Sequence, residues 1–293
     1  NGKNIGPFVD KPSREHGDIT SDVWPSVFYD KMKDGSGPVY MDCTDLSEEE
    51  MRYLYWAFTC EGDTSLVDAM EQQGIDLREK MVEFGSYECT LLGRGVQIDA
   101  NAATNIPGLY AAGDQVGNFL SHISGAATMG RIAGECAAAY SASVGFADSV
   151  ASHPTVLERQ EFYSAMMERE NGPGWKELNI IINQLLDDYC PVFQVRSEGK
   201  FEAGLGYFQD LRRQCTHAVC CPNAHELMRA AEAFDLLDIG EAMLLSAQAR
   251  KETRGLHRRP DYPFTNPLLN NHFVTIRRTA SGPEVAIRPA QTL

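Results

Sequence analysis

Four successive segments between residues 151 and 254 constrain the fold most. They are SHPTVLERQEFYSAMMERE, GWKELNIIINQLLDDY, GKFEAGLGYFQDLRRQC and NAHELMRAAEAFDLLDIGEAMLLSAQARKETR. Each places apolar residues three and four positions apart, which puts them on one face of an α-helix. Their connectors are short, so neighbouring helices must run antiparallel. This spacing predicts a helical bundle over residues 151–254. The pattern then changes. HFVTIRRTASGPEVAIRP reads as two strands folded back around Ser281-Gly282, a hairpin.

The N-terminal part reads as a small α+β unit over residues 1–84. Polar residues lead into a helix near DVWPSVFYDKMKDG, where Pro25 suits a first turn. GPVYMD is a short strand. SEEEMRYLYWAFTC has Ser47 as N-cap with acids in its first turn, and DTSLVDAMEQQG is a second helix stopped by Gly74.

Chemistry concentrates in TNIPGLYAAGDQVGN, residues 104–118. Leu109 to Gly113 form a short apolar run bounded by Pro107-Gly108 and Gly113-Asp114, which predicts a buried, parallel strand. A carboxylate at the C-terminal end of such a strand lies where open α/β sheets bind ligands. Ionised Asp114 only accepts hydrogen bonds, so it suits a ligand offering hydroxyls, such as a ribose or ribityl chain. SHISGAATMGRIAGECAAAYSA then runs from a loop into a Gly/Ala-rich helix whose first-turn N–H groups lack intrahelical partners. A strand, a tight turn and a packed helix without any ligand is the other reading of the same pattern.

TNIPGLYAAGD followed by GRIAGECAAAY resembles the second flavin-binding motif of the fumarate reductase/succinate dehydrogenase flavoprotein superfamily. ARKETRGLHRRPDYP (249–263) resembles that family's R-x-E-S-R-G-x-H-x-R-x-D-Y-P, and GPVYMD (37–42) resembles a segment of its capping region. The resemblance implies an α+β chain: a partial capping domain (1–84), a return segment of an FAD-binding α/β domain (85–150), a C-terminal helical bundle (151–254) and an extended basic tail with a hairpin (255–293). It implies FAD in the full-length protein, with Gly113 and Asp114 at the ribityl chain. Ser121, His122, Ile123, Ser124 and Gly125 would then belong to the loop facing the flavin ring. No Gly-x-Gly-x-x-Gly is present, since the four Gly-x-Gly runs beginning at Gly35, Gly93, Gly172 and Gly204 end on Tyr40, Ile98, Glu177 and Gln209. The adenosine and pyrophosphate end of FAD would then be held by an N-terminal FAD-binding half, and the isolated piece is expected to be inactive and colourless.

On the substrate side the expected Arg after the flavin carboxylate is missing. Asp114 is followed by QVGNFLSHISGAATMGR, a compact loop that resembles the alpha subunit of adenylylsulfate reductase. The expected activity is therefore FAD-dependent oxidation or reduction of a small substrate other than fumarate or succinate, with an iron–sulfur subunit as electron partner. The alternative is a non-catalytic docking or assembly module of a redox complex. Arg94, between two glycines, and His122 are the catalytic candidates, each equally readable as an ordinary loop residue. Arg254, His257 and Arg258 either lock the tail to the bundle or reach the site.

Charge and composition exclude other classes. The chain is 293 residues long with a net charge of −15, which opposes nucleic acid and anionic membrane surfaces as partners. Residues 250–293 carry eight basic and three acidic residues, a net of +5, which leaves −20 for the remainder. Such a tail either docks on its own acidic body or lies beside an anionic ligand. No apolar run approaches the roughly 20 residues of a membrane span. Eight scattered Cys suggest reduced thiols and a cytoplasmic location. Cys215, His217, Cys220, Cys221 and His225 are residue types that suit zinc, but their spacing matches no finger or ribbon, and no metal is expected.

Overall fold

The computed structural model describes residues 31, 34–61, 64–83, 95–117, 123–145, 150–191, 195–255 and 257–290. The helix expected near residues 22–35 therefore falls almost wholly outside the described residues. Contacts divide the chain into two compact units, Asn1–Tyr87 and Glu88–Leu293.

In the first unit, strand β1 (Tyr40–Met41) pairs antiparallel with β2 (Val82–Glu83), and between them lie helices α1 (Glu48–Glu61) and α2 (Thr64–Gln72). Ser47 starts α1 through a reciprocal cap. Its Oγ accepts the N–H of Glu50 at 3.3 Å, and the Glu50 carboxylate accepts the N–H of Ser47 at 2.8 Å. Gly74 takes φ +63, and the chain closes α2 with the N–H of Ile75 donating to Met70 O at 2.8 Å. Cys43, Met51, Met70 and Leu77 form the small core.

The second unit holds α3 (Ile123–Ser143), then four helices: α4 (Pro154–Glu168), α5 (Trp175–Tyr189), α6 (Glu198–Ala218) and α7 (Ala224–Ala249). Side chains cap three of the four bundle helices. His153 Nδ1, Ser197 Oγ and Asn223 Oδ1 accept the N–H of Thr155, Lys200 and Glu226, and each accepts a donor that the first turn leaves unpaired. α7 is the central helix. Its buried positions Ala230, Ala233, Phe234, Leu237, Gly240, Leu244 and Ala247 recur at intervals of three and four. They meet Leu178, Ile182 and Leu186 of α5 and Phe201, Phe208 and Cys215 of α6 in one core. Burying each large side chain contributes about 2 kcal/mol. The expected bundle is thus present helix for helix, and Cys215 and Cys221 are apolar contributors to its core.

The last element is a β-hairpin, β3 (His272–Thr279) with β4 (Gly282–Pro289), in register from His272↔Pro289 to Thr279↔Gly282. Ala280-Ser281 form its two-residue turn, within a residue of the expected position.

Small residues in the bundle set how closely helices approach. A Cβ on Gly240 would stand 2.3 Å from Phe208 Cε1, whereas one on Gly206 meets nothing within 4 Å. Gly240→Ala is expected to destabilise the chain by about 1–3 kcal/mol through overpacking. Gly206→Ala, in the same bundle, is expected to stabilise it by about 0.5–1 kcal/mol through helix propensity. Urea unfolding midpoints of the two variants check this, and equal midpoints would refute it.

Candidate functional site

The candidate site is built on a folded-back segment rather than on a strand of a sheet. Asp99 Oδ1 accepts the N–H groups of Asn101 and Ala103, both at 2.9 Å, an Asx turn. The chain reverses at Pro107-Gly108, where Gly108 has φ +81 and Leu109 N donates to Ile106 O at 3.0 Å. Proline followed by a positive-φ glycine is the sequence of a type II turn. Ala103 and Tyr110 then form an antiparallel bridge. The predicted buried parallel strand over Leu109–Gly113 is therefore corrected. Tyr110 bridges back to its own chain, and Leu109 is 48% exposed. Strand assignment needs a continuous ladder, and among the described residues this run has a single bridge.

Beyond Ala112 the backbone turns sharply. Gly113 takes φ +84, a conformation that a Cβ would strain, and Gly113–Gln115 form one 3-10 turn. Val116 then bridges Val96 in parallel, with Val96 N donating to Gln115 O at 2.7 Å and Gly117 N to Val96 O at 3.1 Å. The two backbones nearly touch. A Cβ on Gly95 would fall 2.0 Å from Gln115 O, and one on Gly117 would fall 2.6 Å from Gly95 O. This glycine pair escaped the sequence reading; its trace is a glycine on each side of the flavin-like motif, at 95 and 117.

Ile98, Ala102, Ala111 and Val116 pack on Met129, Ile132 and Ala133 of α3. Gly113 is thereby brought beside α3's first turn, an added Cβ lying 4.0 Å from Ala126 Cβ. Of the predicted cofactor residues, Gly113 and Asp114 sit on the 3-10 turn, and Ile123, Ser124 and Gly125 open α3. Ser121, His122 and Arg94 lie outside the described residues. The Asp114 side chain is exposed and accepts no hydrogen bond or ion pair among the described residues. Gly130 and Gly134 on α3 have open space where side chains would stand. An acceptor-only carboxylate, a glycine turn and first-turn N–H groups without intrahelical partners together fit a polyhydroxyl chain attached to a flat, electron-poor ring.

Arg254 and His257 belong to a different construction, which anchors the tail. Glu252 is completely buried and accepts from Arg250 Nε at 2.7 Å, Arg254 Nε and Nη2 at 3.0 Å, and the Asn266 N–H at 2.9 Å. Burial raises its pKa, but these four donors prevail and hold it at about 2. Arg196 donates to His257 Nδ1 at 3.0 Å, so the other ring nitrogen donates to Arg250 O at 2.8 Å. Burial, together with Arg196, Arg259 and Arg250, lowers the His257 pKa to about 4. Among the described residues no three His, Cys, Asp or Glu side chains converge as a metal site. Cys220 Sγ donates to Arg169 O.

His257 and Glu252 contribute to the pH dependence of folding. The unfolded chain protonates His257 near 6.5 and the folded one only near 4, so stability falls as pH drops across that window, by about 3 kcal/mol. Glu252 protonates near 4.5 when unfolded and near 2 when folded, so a second loss begins below pH 4.5. Urea midpoints at pH 7, 5.5 and 4.5 are expected to decline steadily, and His257→Gln to flatten the decline above pH 4.5. Identical midpoints at pH 7 and 4.5 would contradict this account.

Comparison with known proteins bears on both regions. Residues 181–292 match the family described as fumarate reductase flavoprotein C-term. The fumarate reductase flavoprotein subunit of Haemophilus influenzae is 22% identical over 180 residues, covering 57% of this chain and 30% of that protein. The 8-methylmenaquinol:fumarate reductase flavoprotein subunit of Wolinella succinogenes is 31% identical over 177 residues, covering 55% and 28%. A mutant E. coli quinol fumarate reductase FrdA superposes with a TM-score of 0.72 at 20% identity, over 96% of this chain and 51% of that one. Adenylylsulfate reductase from Archaeoglobus fulgidus gives 0.68 at 19%, over 94% and 51%. The chain thus spans no more than about half the length of these relatives.

Proposed function

We propose that the chain, whose residues 181–292 match the fumarate reductase flavoprotein C-terminal family, is the C-terminal part of an FAD-dependent oxidoreductase of the fumarate reductase/succinate dehydrogenase flavoprotein superfamily, acting on a small substrate. The observation carrying this reading is the exposed Asp114 carboxylate, set behind positive-φ Gly113 and beside the first turn of α3. Asp114 would accept hydrogen bonds from the ribityl hydroxyls, and the first-turn N–H groups of α3 at Ile123, Ser124 and Gly125, which lack intrahelical partners, would face the ring. FAD, when bound, supplies hydride acceptance and donation, and the protein positions it. An iron–sulfur subunit would be the partner that exchanges electrons with it.

We assign the chain four parts: capping domain over 1–84, flavin return segment over 85–150, helical bundle over 151–254 and tail over 255–293. The substrate we propose is one other than fumarate or succinate. Only eight residues separate Asp114 from α3, and none is Arg. The first Arg after Asp114 is Arg131, which pairs with Glu135 on the helix surface at 2.6 Å. Among the described residues no helix is long and apolar enough to cross a membrane.

Supplying the FAD-binding half as a separate polypeptide tests the reading. The mixture is expected to retain FAD and reduce a dye with substrate, without responding to succinate. Asp114→Ala is expected to weaken flavin retention about 10-fold or more, the loss of charge-assisted hydrogen bonds. Flavin absorbance after gel filtration measures it. Retention unchanged by Asp114→Ala would refute the assignment, and tight assembly of the two halves without flavin would favour a docking module.

A further inference from the structure

A cleft of about 400 Å³ opens at the base of the β-hairpin, lined among others by Arg250, Arg254, Leu269, Asn270, His272 and Phe273. That volume lies within the range of small-molecule pockets. Among the described residues no acidic side chain lines the cleft. The nearest compensating charge is buried Glu252, which ion-pairs with both Arg250 and Arg254. Two guanidinium groups on one carboxylate leave one positive charge over, in a protein whose net charge is −15.

The two arginines are differently committed. Arg250 donates to Leu269 O and His272 O as well as to Glu252, so its guanidinium holds the walls together. Arg254 places Nε and Nη2 on Glu252 and Nη2 on Asn266 O and Asn270 Oδ1. Its Nη1 has no acceptor among the described residues, and the side chain remains 38% exposed. Asn270 gives its oxygen to Arg254 at 2.6 Å, which leaves its amide N–H groups to donate elsewhere. A fixed guanidinium edge beside a fixed amide is a preorganised pair of donors for an oxyanion. The buried acid has already ordered the arginine, so binding need not do so. Leu269 and Phe273 line the same cleft and supply apolar surface, with Phe273 42% exposed.

We propose that this cleft binds a small organic anion, its phosphate or carboxylate head held by Arg254 and Asn270 and its apolar body resting on Phe273. This site stands apart from the flavin reading and uses none of its residues.

Calorimetric titration of the 293-residue chain with phenyl phosphate, inorganic phosphate and benzoate, all at one ionic strength, tests the proposal. Phenyl phosphate, benzoate or both are expected to bind with a dissociation constant tighter than about 1 mM. Whichever binds more tightly identifies the preferred head. Arg254→Lys keeps the charge facing Glu252 but removes the forked donors, and is expected to weaken binding about 10-fold or more. Phe273→Ala touches no member of the ion network and is expected to weaken the two aromatic probes while sparing inorganic phosphate. It also decides the matter should Arg254→Lys fail to fold by circular dichroism. The proposal is overturned if no aromatic probe binds the wild-type chain, if chloride at equal ionic strength displaces the probe equally well, or if the folded variants bind as the wild type does.

Discussion

Arg259 is the interaction on which the C-terminal half depends. It is wholly buried, and every donor it carries is engaged. Nη1 donates to Gln248 O at the end of α7, Nη2 to Glu198 in the first turn of α6, and Nε and Nη2 to Asp261. Asp261 in turn accepts the N–H of Glu198. One cation therefore meets the negative end of one helix and an acid at the positive end of another, as helix dipoles favour. Its guanidinium also stacks 4.7 Å from the Tyr262 ring and 5.1 Å from Phe201. Removing any one partner would leave a buried charge poorly compensated, which costs more than the intact pair contributes. That asymmetry holds residues 250–262 to the bundle and gives the β-hairpin a fixed base.

The Glu252 cluster, in the same stretch of the tail, continues the same logic. Here the acid is the buried member and the arginines reach outward, the reverse of the Arg259 arrangement. Charged residues of the tail thus face inward in both signs: Glu252 and Asp261 are acids of the tail itself, and Glu198 of the bundle offsets part of the excess positive charge that remains. The sequence allowed either docking on the protein's own body or contact with an anion. The structure divides these between residues: Arg259 is fully spent inside, while Arg254 keeps one edge toward solvent.

What the sequence made legible was whatever repeats. Leu178, Ile182 and Leu186 recur every four residues, and α7 maintains its apolar spacing over seven buried positions, so the bundle could be read directly. Ser47 with Glu50, and Gly74, marked helix ends because caps use fixed offsets. The Leu109–Gly113 run misled because Pro107-Gly108 was taken as a boundary, whereas it is the tip of a reversal. Five residues are too few for periodicity to separate a buried strand from one arm of a turn. Burial of Glu252 and Arg259 was also invisible, because charged residues signal solvent until their partners, 61 positions away for Glu198 and Arg259, are seen in place.

Around Asp114 the limiting factor is backbone rather than side chain. Gly95, Gly113 and Gly117 each occupy a place that a Cβ would strain or fill. The first and last let two chain segments touch; the middle one turns the chain so that the next side chain leaves the core. Met129 and its neighbours on α3 then fix this turn against the start of the helix. The packing of this turn fixes where the Asp114 side chain leaves the backbone, and among the described residues no donor engages its carboxylate. The same geometry explains why the segment consists so largely of alanine and glycine. Bulk at these positions would push α3 away from the turn and separate the Asp114 carboxylate from the amides of the helix's first turn.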